Sequence, residues 1–454
     1  MSLIKGETML RKIIGTIGVV FCIVMLFPTK ACAAEATYEN ARIEIEGFSG
    51  EKSLLDDNIN TYAKALKDNE ITIYREDGIG SLYIKFDRIP SAWTVENTDS
   101  GESVCCGENG FLHEFVDVKA GFETMPDTIS IHFEEGTSIA DIYAFSEGEI
   151  PGWVQIWEPP CEVADLLLIS SHSDDEQLFF LGVLPYYAGE LGMNVQVAYV
   201  VQHYEANGVE NHQRPHEQLD GLWTVGVKNY PVMSDFPDLY AQSKDREVAF
   251  NEAKKVFEAA GVTYDDFVQY MTECIRRFKP SVVVSHDLNG EYGHGTHVLA
   301  SAALTEAITY SSDKEKYPES AMEYGVWEID KLYLHLYNEN QIVMDYDVPL
   351  ENFGGKTAYE VSCEGFDCHK SQHWTWFYKW IYGSEENPIT KASQIRSYSP
   401  CQYGLYYSAV GADTEGGDFF ENVETHTERI HKKIEEIIEQ IIAAKDEMMR
   451  GVFL

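Results

Sequence analysis

Positive charge is scarce in this sequence: 34 lysines and arginines stand against 75 acids, a formal net charge of −41. Such a surface repels phosphate backbones and anionic headgroups, and no local basic stripe offsets it, so nucleic acid is excluded as a partner. Long apolar runs are missing after Phe27, and no internal repeat or low-complexity tract interrupts the 454 residues. With 44% hydrophobic and 24% charged residues, wholesale disorder, collagen and a membrane bundle are ruled out. No CxxC pair supports a structural zinc.

What is present starts with Lys5, Arg11 and Lys12 ahead of an apolar stretch from Ile13 to Phe27, then Ala31, Cys32, Ala33 and Ala34. That order reads as a secretory signal over residues 1–34, and the apolar stretch falls short of the roughly 20 residues that span a bilayer. The expectation is a secreted or cell-surface protein with no transmembrane segment once the signal is removed. Seven cysteines follow it, Cys105, Cys106, Cys161, Cys274, Cys363, Cys368 and Cys401. Seven is odd, so at least one is unpaired; Cys363 and Cys368 either bridge a short loop or stay free.

Short β-rich runs such as Ile71 to Tyr74, Ser81 to Phe86 and Ile129 to Phe133, separated by Gly, Asp, Asn and Pro, suggest an all-β sandwich over residues 35–157. Pro159 and Pro160 mark a linker over 158–162. From 163 to 454 the pattern changes. Apolar strands Val163 to Ser170, Val195 to Val201 and Ser281 to Ser285 alternate with helical patterns at Glu217 to Val225, Asp265 to Phe278 and His297 to Thr309. The alternation predicts an α/β fold, a parallel sheet with helices on both faces. Isoleucines at helical spacing from Ile430 to Ile442 make the C-terminal stretch an amphipathic helix, packed on its own domain or pairing with a second copy. The aromatic cluster from His373 to Trp380 is either core or a surface for stacking sugar rings.

Two strands end in unusual chemistry. The first runs into Ser171, His172, Ser173, Asp174, Asp175 and Glu176, at the carboxyl end where open α/β sheets place their ligands. Residues three apart on a tight turn converge, so His172 and Asp175 can share one cation while Asp174 is aimed elsewhere. The alternative is that these side chains only cap the next helix. The second strand leads into Gly290, Glu291, Tyr292, Gly293, His294, Gly295, Thr296 and His297. At a helix start, His294 and His297 lie on one face, one able to bind metal and the other to stand beside a substrate.

His172 to Glu176 resembles the His-Pro-Asp-Asp-Glu signature of the PIG-L/LmbE-like zinc N-deacetylases, and Gly290 to His297 resembles that family's Gly-x-Tyr-Gly-His-x-x-His segment. Arg214, Glu217 and Gly226-Val227 resemble the intervening Arg-x-x-Glu helix. The resemblance runs from about Ala164 to Asn422, with weaker matches near His369 and Tyr403. It implies a Rossmann-like, LmbE-like sheet holding one zinc through His172, Asp175 and His297, with Asp174 as general base. It also implies a protonated His294 and Tyr292 stabilising the oxyanion or leaving group, and Arg214 holding substrate, unless Arg214 only pairs with Glu217. Two departures stand out: Ser173 replaces the usual proline, and Gly295-Thr296 replaces Pro-Asp. His203, His212 and His216 are expected at the surface or rim, and Glu176 in a structural role. The 35–157 region loosely resembles discoidin or galactose-binding-like modules, which implies a carbohydrate-binding accessory domain.

The function these residues imply is hydrolysis of an N-acetyl group from an N-acetylglucosamine-containing glycan or glycoconjugate. The alternatives are a non-catalytic glycan-binding protein on a deacetylase fold, and a zinc amidase acting on a non-sugar amide. Iron or cobalt could occupy the same ligand set.

Overall fold

The computed structural model describes residues 34–206, 209–414 and 416–451. The expected signal segment, with Cys22 and Cys32, lies outside the described residues apart from Ala34.

Residues 42–145 form an eight-stranded antiparallel sheet whose hydrogen bonding runs continuously through one long strand, Ala63–Tyr74. That strand pairs with Thr128–His132 along its second half, with Ser138–Phe145 at its start, and with Arg42–Ser49 on its flank. Alternation explains the arrangement: Ile71 and Ile73 are fully buried while Tyr74 is exposed.

Five parallel strands follow: Val232–Met233, Val195–Tyr199, Leu166–Ser170, Val282–Ser285 and Lys331–His335, in that order. Two antiparallel strands, Gln402–Ser408 and Gln341–Val343, extend the edge, so the sheet is mixed where a purely parallel one was expected. Both faces are covered. Leu166 and Leu168 enter the core shared with Leu178, Leu184, Leu222 and Phe366, and Leu167 and Ile169 enter the opposite core with Phe257, Phe267, Met271 and Leu299. A strand buried on both sides is a near-continuous apolar run, and that is how Leu166 to Ile169 reads. The chain leaves Leu166–Ser170 toward Val195–Tyr199 on one side and returns to Val282–Ser285 on the other. The two histidine-bearing loops therefore meet at the point where strand order reverses.

The two sheets share a core. Phe111 stacks on Tyr230 at 4.5 Å, and His113 Nε2 lies 2.6 Å from His216 Nδ1. All seven described cysteines are free thiols, Cys363 and Cys368 included. The C-terminal helix, His426–Gly451, is anchored at its start by Arg429 on Asp330 and Ser281. Among the described side chains, Ile430, Ile434, Ile437, Ile438 and Ile442 are all exposed.

A buried ion pair ties the segment before that helix to the sheet. Lys331 Nζ, with no exposed side chain, donates to Asp413 at 2.5 Å and to the Tyr333 hydroxyl at 3.2 Å. Removing one partner leaves the other charge buried and uncompensated. Lys331→Met is expected to lower unfolding stability by about 3–5 kcal/mol, read as a shifted urea midpoint.

Candidate active site

The first loop is strained where the chemistry is dense. Asp174 has φ 136°, a conformation that costs a non-glycine residue on the order of 1–3 kcal/mol and persists only where its surroundings enforce it. They do so here. Its N–H donates to Glu176 Oε2 at 2.9 Å, and its carbonyl accepts from Gln177 and Leu178. Glu176 thus has the structural role expected of it. The capping alternative is not realised by Asp174, whose side chain accepts no helix N–H.

Arg214 accounts for the rest of the loop's rigidity. Its guanidinium donates to the Ser173 carbonyl at 3.0 Å, to Ser173 Oγ at 3.3 Å and to Asp174 Oδ1 at 3.3 Å. The expected salt bridge with Glu217 does not form; Glu217 instead accepts from Gln213 and from Ser371. Burial pushes the Asp174 carboxyl up to about 6, with Arg214 pulling it down and Asp175 adding to the rise.

Three donor atoms converge beneath Asp174. His172 Nδ1 is 3.1 Å from Asp175 Oδ2 and 3.2 Å from His297 Nε2, and Asp175 Oδ2 is 3.2 Å from His297 Nε2. Donors bound tetrahedrally to one ion at about 2.0–2.1 Å stand roughly 3.3–3.4 Å apart, so this triangle fits a small divalent cation. Two wider groupings also cluster: His172 with His294 and His297, and Asp175 with His286 and His297. His286 is disqualified as a ligand because its Nε2 lone pair already accepts the Ser171 N–H at 2.8 Å.

Glu291, absent from the expected site, organises this set. It is fully buried, and its Oε2 accepts from His286 Nδ1 at 2.8 Å and His297 Nδ1 at 2.7 Å, while Oε1 accepts from His335 Nδ1 at 2.7 Å and the Asp287 N–H at 3.1 Å. Burial would raise its carboxyl, but the three imidazoles hold it well below the usual range. For His297, burial lowers the ring and the Asp175 and Glu291 carboxylates override it, raising it to about 10.

His294 lies beside this set, ring edge to His172 at 4.7 Å, flanked by Tyr240 at 5.3 Å and Tyr292 at 5.5 Å. Burial, His297 and His172 push it well below the imidazole range. Its buried Nδ1 has no hydrogen-bond partner. Tyr292 sits at φ 49° in the turn that aims both histidines.

His203 and His216 do not lie at the rim; both are buried. His203 Nε2 accepts the Ser173 N–H at 2.9 Å, a bond that the proline usual at this position could not make. The second departure has the same logic. The Gly295 N–H donates to the Ala241 carbonyl at 2.8 Å, and a Cβ at 295 would lie 2.6 Å from that of Ala253. His212, half-buried, pairs with Asp87 at 2.5 Å. Asp238, also missed, lies 3.6 Å from His172 Nε2. Spacing in the sequence contains no signal for Asp238, His286 or His335, which reach the site from separate loops and strands.

Residues 167–308 match the family model PIG-L: GlcNAc-PI de-N-acetylase. The 1D-myo-inositol 2-acetamido-2-deoxy-alpha-D-glucopyranoside deacetylase of Geodermatophilus obscurus is 26% identical over 183 residues, 37% of this chain and 60% of the relative. The mycothiol S-conjugate amidase of Streptomyces coelicolor is 43% identical over 51 residues, 11% of this chain and 17% of the relative. The chain spans about three fifths of the length of the curated deacetylases it matches over their longest stretches. The N,N'-diacetylchitobiose deacetylase from Pyrococcus horikoshii aligns with a TM-score of 0.37 at 15% identity, covering 54% of this chain and 85% of that one.

Two outcomes test the geometry. Glu291→Gln is expected to weaken divalent-cation binding about 10- to 100-fold in a chelator competition, since it loosens the imidazole that presents Nε2. Gly293→Ala would set a Cβ 2.0 Å from the Ser243 carbonyl at φ 77°, and is expected to lower the melting temperature and disorder the 293–297 turn.

Proposed function

We propose that the chain is a secreted, zinc-dependent hydrolase that removes the acetyl group from an N-acetylglucosamine-containing glycan or glycoconjugate. The observation that carries this reading is the triangle of His172, Asp175 and His297 with Asp174 held beside it. The matched family model and the names of the relatives support the reaction class. Zinc held by those three residues would supply Lewis acidity to the amide carbonyl and acidity to a water.

The chain's own groups do the rest. Asp174, oriented by Arg214 and by its strained backbone, takes the proton of the attacking water. His294, with one ring nitrogen unpartnered, gives an N–H to the carbonyl oxygen as negative charge develops there, and Tyr292 assists from the same turn. The proton on Asp174 then passes to the departing amine. Arg214 serves Asp174 first, and any hold on substrate is made through that contact. The 35–157 region, read as a sandwich, is proposed as an accessory module that adds a second contact to a glycan, with the hydrolase in 163–454. Secretion is proposed from the signal-like residues 1–34.

A zinc amidase acting on another amide is the second reading, favoured by the local identity to the S-conjugate amidase. Acetate release from a panel of N-acetylated mono- and oligosaccharides separates the two, with non-sugar amides as the parallel arm. Zinc-dependent release is expected, and Asp174→Asn is expected to reduce it by roughly 10²- to 10⁴-fold. A zinc-loaded protein inert on every N-acetyl sugar, with Asp174→Asn no different, overturns the proposal.

A further inference from the structure

The aromatic cluster from His373 to Trp380 divides sharply in the fold. Phe377 is buried, and Ile381 with it on the short helix Trp376–Tyr382, whereas Trp374 is 84% exposed and Trp376 47% exposed. The buried members satisfy the core; the exposed tryptophans are unexplained by packing. Trp376 is not isolated. Its ring meets Tyr292 edge-on at 5.7 Å and Phe377 at 4.2 Å, with Trp380 at 6.4 Å and Tyr398 at 6.5 Å. Tyr292 in turn meets His294 at 5.5 Å. An open indole surface therefore stands two ring contacts from the imidazole proposed to serve the reacting carbonyl. On His294's other flank, Tyr240 is 61% exposed and donates to Gln242 Oε1 at 2.6 Å.

We infer that Trp376, extended outward by Trp374, is a stacking platform for the sugar residues adjoining the N-acetylated one, so that the substrate is an oligosaccharide rather than a free monosaccharide. The inference rests on the deacetylase reading and names the substrate class for that same site. A pyranose presents an apolar C–H face and a rim of hydroxyls, and it is recognised by a flat aromatic surface beside planar polar groups. Rings interspersed with the Gln242 carboxamide and the Asp238 carboxylate match that pattern. An acyl chain or lipid surface fits it poorly: those polar groups would be desolvated, and the net charge of −41 repels anionic headgroups.

The test uses the full chain and compares N-acetylglucosamine with its β-1,4-linked tetramer as substrates for wild type, Trp376→Ala, Trp376→Phe and Trp374→Ala. Trp376→Ala is expected to raise KM for the tetramer about tenfold with kcat within about twofold, and Trp376→Phe to fall in between. Trp374→Ala is expected to raise it by a smaller factor, and the monomer's kcat/KM to change little in any variant. Trp374 touches no other ring among the described residues, so its variant keeps the test valid if Trp376→Ala fails to fold. A second readout needs no turnover: quenching of tryptophan fluorescence by the tetramer in the metal-free protein, expected in wild type and weakened in Trp376→Ala. Equal effects on monomer and tetramer, or none in the Trp374 and Trp376 variants, overturn the platform. If wild type releases no acetate from any sugar, the deacetylase reading falls; the platform then stands on tetramer quenching that Trp376→Ala abolishes, and falls if there is none.

Discussion

A single buried carboxylate, Glu291, is the constraint on which the site depends. With no solvent to satisfy it, its two oxygens must be saturated by the protein, and they are: by His286, His297, His335 and the Asp287 N–H. Each of these bonds does something further. The His286 bond leaves Nε2 free to accept the Ser171 N–H, which fastens the loop after one strand to the loop after its neighbour. The His297 bond fixes the ring so that Nε2 faces Asp175 and His172. The His335 bond brings in the next parallel strand, whose imidazole also reaches the Ser399 carbonyl. One charge thus sets the register of three strand ends, and the triangle of His172, Asp175 and His297 is a consequence.

The two places where the sequence departs from the deacetylase motifs it resembles are explained by the same need to satisfy backbone donors. Proline has no N–H to give. At Ser173 that N–H is given to His203, and at Gly295 to the Ala241 carbonyl. The loop carrying Ala241 also clasps the histidine turn through Ser243 and Gly293, whose N–H and carbonyl meet at 3.0 Å, and through Gln242 and the Tyr292 carbonyl. The turn at Ser173 is held from two sides, by His203 and by Arg214. The strain at Asp174 is sustained by this enclosure.

Much of this was legible in the chain. Leu166 to Ile169 reads as a doubly buried strand because every residue is apolar, and His172 and Asp175 pair because a spacing of three on a tight turn brings them together; spacing put His294 and His297 on one face, and only the family resemblance chose His297 between them. The misreadings have equally physical origins. Polarity suggested a rim for His203 and His216, but each pairs with a partner far away in sequence, and a paired imidazole tolerates burial. Arg214 and Glu217 suit a helical ion pair by spacing, yet each found a stronger claim elsewhere. The isoleucine stripe from Ile430 to Ile442 is amphipathic as written, but periodicity says which face is apolar and nothing about what covers it.

Local order therefore settled the elements and the doubly covered sheet, since these follow from periodicity, and it put His172 with Asp175 and His294 with His297 through spacings of three residues. The tertiary structure alone decided the supporting set: Glu291 as hub, His286 and His335 around it, Arg214 on Asp174, and Trp376 against Tyr292. Apart from the Glu291–His286 bond within one loop, those contacts join segments tens of residues apart, and the energy that selects the polar ones comes from satisfying groups removed from water, a condition that exists only once the core has closed.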